Sequence, residues 1–204
     1  MITSSHWSLR QAEDLLGFRA SSENLAFWRR SPYPGAAALW DSVLPEVTPF
    51  KQHLAPDQLA EAFQPVFPAR FWRNPLGAEW LADVTALTDA FCREMQVSQC
   101  QVQLDRDRPC VRYHADNVVM RLICTYRGPG TLWLDEDNLN LAAAEAKGTS
   151  NEEIALRPED VRQAHEWEVL VMKGKQANTP PLYHKSPPSR PGDPASLVLK
   201  LDLV

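Results

Sequence analysis

Two histidines and an aspartate offer the clearest chemistry in this chain. Tyr113-His114-Ala115-Asp116-Asn117 stands immediately before an apolar run, and His184 follows His114 by seventy residues, inside Tyr183-His184-Lys185-Ser186-Pro187-Pro188. Two imidazoles and one carboxylate can occupy one face of an octahedral ion and leave the other positions open to substrate and oxygen, as in non-haem Fe(II) oxygenases. The donors suit Fe(II), Mn(II), Ni(II) or Zn(II), so they define a metal site without naming the metal. A lone His-x-Asp more often marks a surface loop. Order strengthens it here: strand, His-x-Asp, strand, the turn Gly128-Pro129-Gly130-Thr131, strand, acidic insertion, strand ending at Gly174, late histidine, final strand. His6, His53 and His165 have no such context and read as surface or locally bonded residues.

Other chemistries fall away. Cys92, Cys100, Cys110 and Cys124 contain no C-x-x-C pair, so reduced thiols are expected, with Cys92 and Cys124 buried; Cys110, four residues before His114, is the one with a claim as a zinc ligand. Gly128-Pro129-Gly130 lacks the lysine and following helix of a phosphate loop and reads as a tight turn between strands. There is no Gly-x-Ser-x-Gly elbow and no His-Glu-x-x-His helix.

The elements that must position these residues change period along the chain. Asn74 and Pro75 open a helix in which Trp80, Val84, Leu87, Phe91 and Met95 form one apolar stripe, and shorter helices are predicted over about 9–18, 36–44 and 56–63. From residue 99 the period becomes two, predicting strands over 100–104, 118–126, 131–134, 167–173 and 196–203. In the second strand Met120, Leu122, Cys124 and Tyr126 share one face while Arg121, Ile123 and Thr125 share the other. The expected fold is α+β: a mainly helical layer, residues 1–98, packed on a C-terminal double-stranded β-helix (jelly-roll) barrel, residues 99–204, with an acidic insertion at 135–166, all in one compact unit.

Five blocks carry a resemblance to a known family: Tyr113 to Asn117, Arg121-Leu122, Thr125 to Thr131, Met172-Lys173-Gly174, and His184 to Pro188. Together they resemble the bacterial domain-of-unknown-function family 1826, well over about residues 70–203 and loosely before that. The resemblance implies a metal-linked protein, associated through gene neighbourhood with zinc homeostasis, and brings no reaction with it. Lys185 stands where family members commonly have arginine, which keeps the charge but loses a bidentate fork.

A 2-oxoglutarate enzyme also needs a cation for the distal carboxylate of its cosubstrate. Arg121 with Thr125, Arg190 in the proline-rich turn, and Lys200 on the last strand compete for that role, and none lies at the usual distance of roughly ten residues after the distal histidine. Asp202 is a candidate partner for Arg121 from the last strand, and neutralisation by it leaves no anchor there. The leading expectation is a mononuclear Fe(II) oxygenase of unidentified substrate, with 2-oxoglutarate as candidate cosubstrate; the alternative is a non-catalytic cupin-like protein that binds zinc.

Composition agrees with an ordinary folded chain: 204 residues, 44% hydrophobic and 23% charged. Its net charge of −5 argues against a general phosphate-backbone binder, so nucleic acid is not an expected partner. No run approaches a membrane span and the first residues lack a basic-then-apolar leader, so a cytoplasmic protein is expected. Ten acids against three bases between Asp135 and Glu168 read as a solvated insertion.

Overall fold

A computed structural model describes residues 6–107 and 110–203. Strands β1 (Trp7–Leu9) and β2 (Leu25–Trp28) precede helix α1 (Ala36–Val43), and β3 (Phe50–Leu54) precedes α2 (Leu59–Phe63), α3 (Ala69–Arg73) and α4 (Pro75–Met95). Then come β4 (Cys100–Asp105), β5 (Met120–Arg127) and β6 (Leu132–Trp133), the insertion helices α5 (Leu141–Glu145) and α6 (Asn151–Ile154), and β7 (Arg162–Gln163), β8 (Val169–Lys173), β9 (His184–Lys185) and β10 (Leu197–Asp202).

The order β1-β2-β8-β5-β10-β4-β3 forms a large sheet, antiparallel throughout except between β1 and β2. A small sheet runs β7-β6-β9, and an antiparallel bridge between His114 and His184 extends it by one position. Counting that bridge as the second of eight segments, the C-terminal half places segments 1, 8, 3 and 6 in the large sheet and 2, 7, 4 and 5 in the small one.

Alternation along the strands sorts the two faces of the large sheet. Met120, Leu122, Cys124, Tyr126, Leu197, Leu199 and Leu201 face the helices, where the α4 stripe joins them in the main core. Ile123, Val198, Leu170 and Met172 face the small sheet and pack with Trp133 and Leu182. The helix runs as its sequence predicts, with Asn74 Oδ1 accepting the Leu76 N–H at 3.0 Å and Pro75 at the first position.

Three expectations are corrected. The two sheets face each other without joining, so among the described residues there is no closed jelly-roll barrel. The N-terminal half is less helical than expected, because β1, β2 and β3 add to both edges of the large sheet. Residues 9–18 are not a helix: Leu9 ends β1, and only 3-10 turns at Ala12–Leu15 and Phe18–Ala20 follow. The second turn is anchored by the buried Glu94 carboxylate, which accepts the Gly17 N–H at 2.7 Å and the Arg19 N–H at 2.5 Å.

The acidic insertion is folded rather than merely solvated. Ile154, Ala155, Ala144 and Leu134 form a small core with Tyr113 and Tyr183, the residues preceding the two site histidines. Two of its arginines pair with three of its acids, Arg157 with Asp137 and Asp160, and Arg162 with Asp135.

All four cysteines are free; Cys92, Cys100 and Cys124 are buried and Cys110 is exposed. A polar thiol reagent is therefore expected to modify one cysteine rapidly in the native protein, and mass mapping should find the label on Cys110. Rapid labelling of a second site contradicts this packing.

Candidate metal centre

The bridge between His114 and His184 brings the histidines together. Each residue's N–H donates to the other's carbonyl, at 3.0 and 2.9 Å, which makes them a hydrogen-bonded antiparallel pair with both side chains on one face of the small sheet. Asp116 lies two residues beyond His114, so extended backbone turns its carboxylate toward the same side. The ring centroids are 4.6 Å apart, and one donor atom from each of the three residues lies within 4.8 Å of the others. The sequence's three proposed ligands converge.

Backbone carbonyls orient the rings. His114 Nδ1 lies 2.9 Å from the Arg112 carbonyl and His184 Nδ1 lies 3.4 Å from the Leu182 carbonyl. A carbonyl only accepts, so each Nδ1 carries the proton and each Nε2 presents a lone pair. Those Nε2 atoms face Asp116: 3.7 Å from His114 to Oδ1, and 3.3 Å from His184 to Oδ2. Asp116 Oδ2 is buried without a hydrogen-bond partner. Two lone pairs and an orphaned carboxylate oxygen around one point are a donor set with no donor proton, which a divalent cation satisfies. The residues therefore fit a mononuclear metal.

Burial and neighbouring charges shift the protonation of His114 and Asp116. Burial lowers the pKa of His114 from the ordinary imidazole value, and the neighbouring His184 adds to the effect. Burial opposes ionisation of Asp116, but His184, Arg121 and His114 outweigh it and bring its pKa down to about 2. Both shifts leave the folded state holding fewer protons than the unfolded chain in acid, so both make stability rise with pH. The loss through His114 begins as pH falls below 6.5, and the loss through Asp116 comes between 3.8 and about 2. Melting in the presence of a chelator at pH 7.5 and 5.5 should show a larger drop for the native chain than for His114→Gln. Equal drops contradict the assignment.

A turn after β8 holds Asp116 in place. Lys175 N–H donates to the Asp116 carbonyl at 2.8 Å, Gly174 to Val119 at 3.1 Å and Gln176 to Val118 at 3.1 Å. At Gly174 a Cβ would lie 2.3 Å from the Val118 oxygen and 2.6 Å from the Asp116 oxygen, so only glycine allows this approach. Gly174→Ala is expected to cost about 1–3 kcal/mol and to weaken metal binding by displacing Asp116, read by urea unfolding and metal titration. An unchanged metal affinity contradicts the clamp.

The four residues nominated for a cosubstrate carboxylate are placed differently. Arg121 faces the site as its strand position predicts, but its Nη1 lies 2.7 Å from Asp116 Oδ1 and its Nε donates to Asp202 Oδ2 at 2.8 Å. Asp202 is thus the partner suggested by the sequence. Lys200 pairs with Asp105 at 2.7 Å. Thr125 is buried and lines, with Arg121, Lys200, His114 and His184, a cavity of about 40 Å³. Arg190 lies in an exposed turn closed by its own N–H on Asp193 Oδ2 at 2.9 Å, outside that cavity's lining. Cys110, Lys185 and Ser186 also line the cavity, but Cys110 lies outside the three-residue donor cluster.

The orienting groups were not legible in the sequence. Carbonyls of Arg112 and Leu182 leave no sequence trace, although the Met172-Lys173-Gly174 block marked the clamp without revealing its job. Arg112 also ties the insertion to the site, donating to the carbonyls of Ala143, Ala144, Ala146 and Thr149, while Asn151 Oδ1 accepts the Tyr113 N–H at 3.0 Å. A larger cavity, about 630 Å³, has Phe27, Trp133 and Leu182 in its wall.

Residues 10–202 match the family described as Protein of unknown function (DUF1826). The chain belongs to that family. The match includes most of the first 70 residues, where the resemblance in sequence was loose, as well as every residue of the site. No curated protein matches the chain in sequence. Among solved structures, the dioxygenase for auxin oxidation 1 from Arabidopsis thaliana, in binary complex with 2-oxoglutarate, is similar over 98% of this chain and 91% of its own, at 7% identity and a TM-score of 0.45. A bsmA homologue from Methylobium petroleophilum PM1 is similar over 67% of this chain and 54% of its own, at 18% identity and a TM-score of 0.35. Among the described residues no helix is long and apolar enough to cross a membrane.

Proposed function

We propose that this chain is a mononuclear non-haem Fe(II) oxygenase built on a double-stranded β-helix. The observation that carries the proposal is the convergence of His114, Asp116 and His184 around a buried, unpartnered carboxylate oxygen. The segment order supports it, because a double-stranded β-helix likewise divides eight segments as 1, 8, 3, 6 and 2, 7, 4, 5. The chemistry gained on metal binding is dioxygen activation at positions that three protein ligands leave open. The carbonyls of Arg112 and Leu182 hold the Nδ1 protons, and so keep both Nε2 atoms available. Ile123 and Val198 line the same cavity as the histidines and limit water beside them.

2-Oxoglutarate does not fit the nominated anchors as they stand. Arg121 is held by two carboxylates, Lys200 by one, and Arg190 lies elsewhere. The cavity of about 40 Å³ is small, with room for a few waters at roughly 10–15 Å³ each. Those engaged cations favour the second reading, a non-catalytic metal-binding protein that holds zinc.

Oxygen uptake by anaerobically purified, Fe(II)-loaded protein, with and without 2-oxoglutarate, tests the proposal. Metal-dependent uptake that His114→Ala removes supports an oxygenase. A protein that retains zinc, binds no 2-oxoglutarate in calorimetry and consumes no oxygen under any loading supports the second reading instead.

A further inference from the structure

We infer that Arg121 is a positioning residue for the metal's carboxylate ligand, and that Asp202 holds Arg121 for that task. The inference rests on the metal reading and goes beyond it, because the guanidinium is assigned to Asp116 rather than to a cosubstrate.

The geometry is a carboxylate–guanidinium–carboxylate chain. Arg121 is the second residue of β5, directly opposite Asp202 of β10 in register, so the two side chains share the face of the large sheet that looks toward the small one. Arg121 Nε and Nη2 both point at Asp202 Oδ2, while Nη1 lies 2.7 Å from Asp116 Oδ1. A guanidinium is planar with its donors in a fixed fork, so fixing one edge on Asp202 fixes the direction of the other. The bond occupies Oδ1 of Asp116 and leaves Oδ2 free. Oδ2 is the atom without a partner and lies 3.3 Å from His184 Nε2. Arg121 therefore presents a single oxygen to the ion.

Charge gives the second reason. Asp116 is largely buried, and an unpaired carboxylate there is costly before the metal arrives. Arg121 stabilises the ionised ligand in the empty site, and Asp202, 3% exposed, keeps the local balance from turning positive beside an incoming cation. Outer partners of ligating carboxylates commonly change metal affinity by about 10- to 100-fold when lost.

Titration of the full chain with Co(II), followed by visible absorption and calorimetry, tests this with Arg121→Gln, Arg121→Lys and Asp202→Asn. The wild-type chain is expected to bind one Co(II). Arg121→Gln should bind about 10- to 100-fold more weakly and show an altered visible spectrum at saturation. Arg121→Lys should recover part of the affinity, since it restores the charge without the fork, and Asp202→Asn should lose affinity in the same direction but by less. Circular dichroism checks the fold, and Arg121→Lys serves if Arg121→Gln does not fold. Wild-type affinity and spectrum in a folded Arg121 variant overturn the inference while leaving the metal centre standing. Normal Co(II) binding by an Arg121 variant that has lost only 2-oxoglutarate binding also overturns it, in favour of a cosubstrate anchor. Failure of the wild-type chain to bind Co(II) removes the metal reading and this inference together.

Discussion

Alanine at His184 is expected to reduce bound divalent metal from one ion per chain to background. His184 supplies one of only three protein donors, and no other His, Cys, Asp or Glu joins that group among the described residues. Loss of a direct ligand should exceed the roughly 100-fold upper range for an outer partner. The same side chain is 5% exposed and packs beside His114, so the substitution also leaves a small void. His184→Gln separates the effects: it fills most of the space, and it should still lose the metal. Elemental analysis after dialysis reads the outcome. Stoichiometric metal in both variants would place the ion elsewhere.

The second large effect is on stability and lies far from the site. Trp80 is fully buried in the N-terminal third of α4, with ring centroids 4.9 Å from Phe67, 5.3 Å from Phe63, 5.6 Å from Phe71, 5.7 Å from Trp40 and 5.8 Å from Tyr126. It joins three helices to the large sheet. Trp80→Ala is expected to destabilise the protein by about 3–5 kcal/mol, through lost burial and the cavity left behind. That is a large share of the roughly 5–15 kcal/mol of a typical domain. Urea unfolding should show a lower midpoint with an unchanged slope. A loss under about 1 kcal/mol contradicts the packing described for this cluster.

Legibility in the sequence followed the range of the physics involved. Helix α4 could be read because its cap, its first-position proline and its stripe are local. The convergence of His114 and Asp116 could be read because extended backbone sets residues two apart on one side. Return of His184 to the same point could be anticipated from strand order, and the direct bridge between the histidines explains why it does. The inward face of Arg121, and Asp202 as its partner, followed from alternation along β5 and β10.

Other features depend on neighbours that a sequence does not announce. Leu25-Ala26-Phe27-Trp28 is a short apolar run without alternation, since β2 is covered on both faces, and such runs do not distinguish strand from helix. Strand β3, Phe50-Lys51-Gln52-His53-Leu54, is a polar edge strand recognisable only through its pairing with β4. Gly174 carries its meaning in a contact with residues nearly sixty positions earlier. The acidic insertion looked solvated because its charges dominate its composition, while the apolar residues that fold it onto Tyr113 and Tyr183 are few and scattered.

The most direct measurement is a crystal of the protein soaked with Mn(II) and examined by anomalous scattering. The account predicts one strong peak within coordination distance of His114 Nε2, Asp116 Oδ2 and His184 Nε2, with Arg121 still on Asp116 Oδ1. A crystal in which this point stays empty while Mn(II) binds elsewhere, such as among Asp135, Asp137 and Asp160 at the wall of the larger cavity, would contradict it.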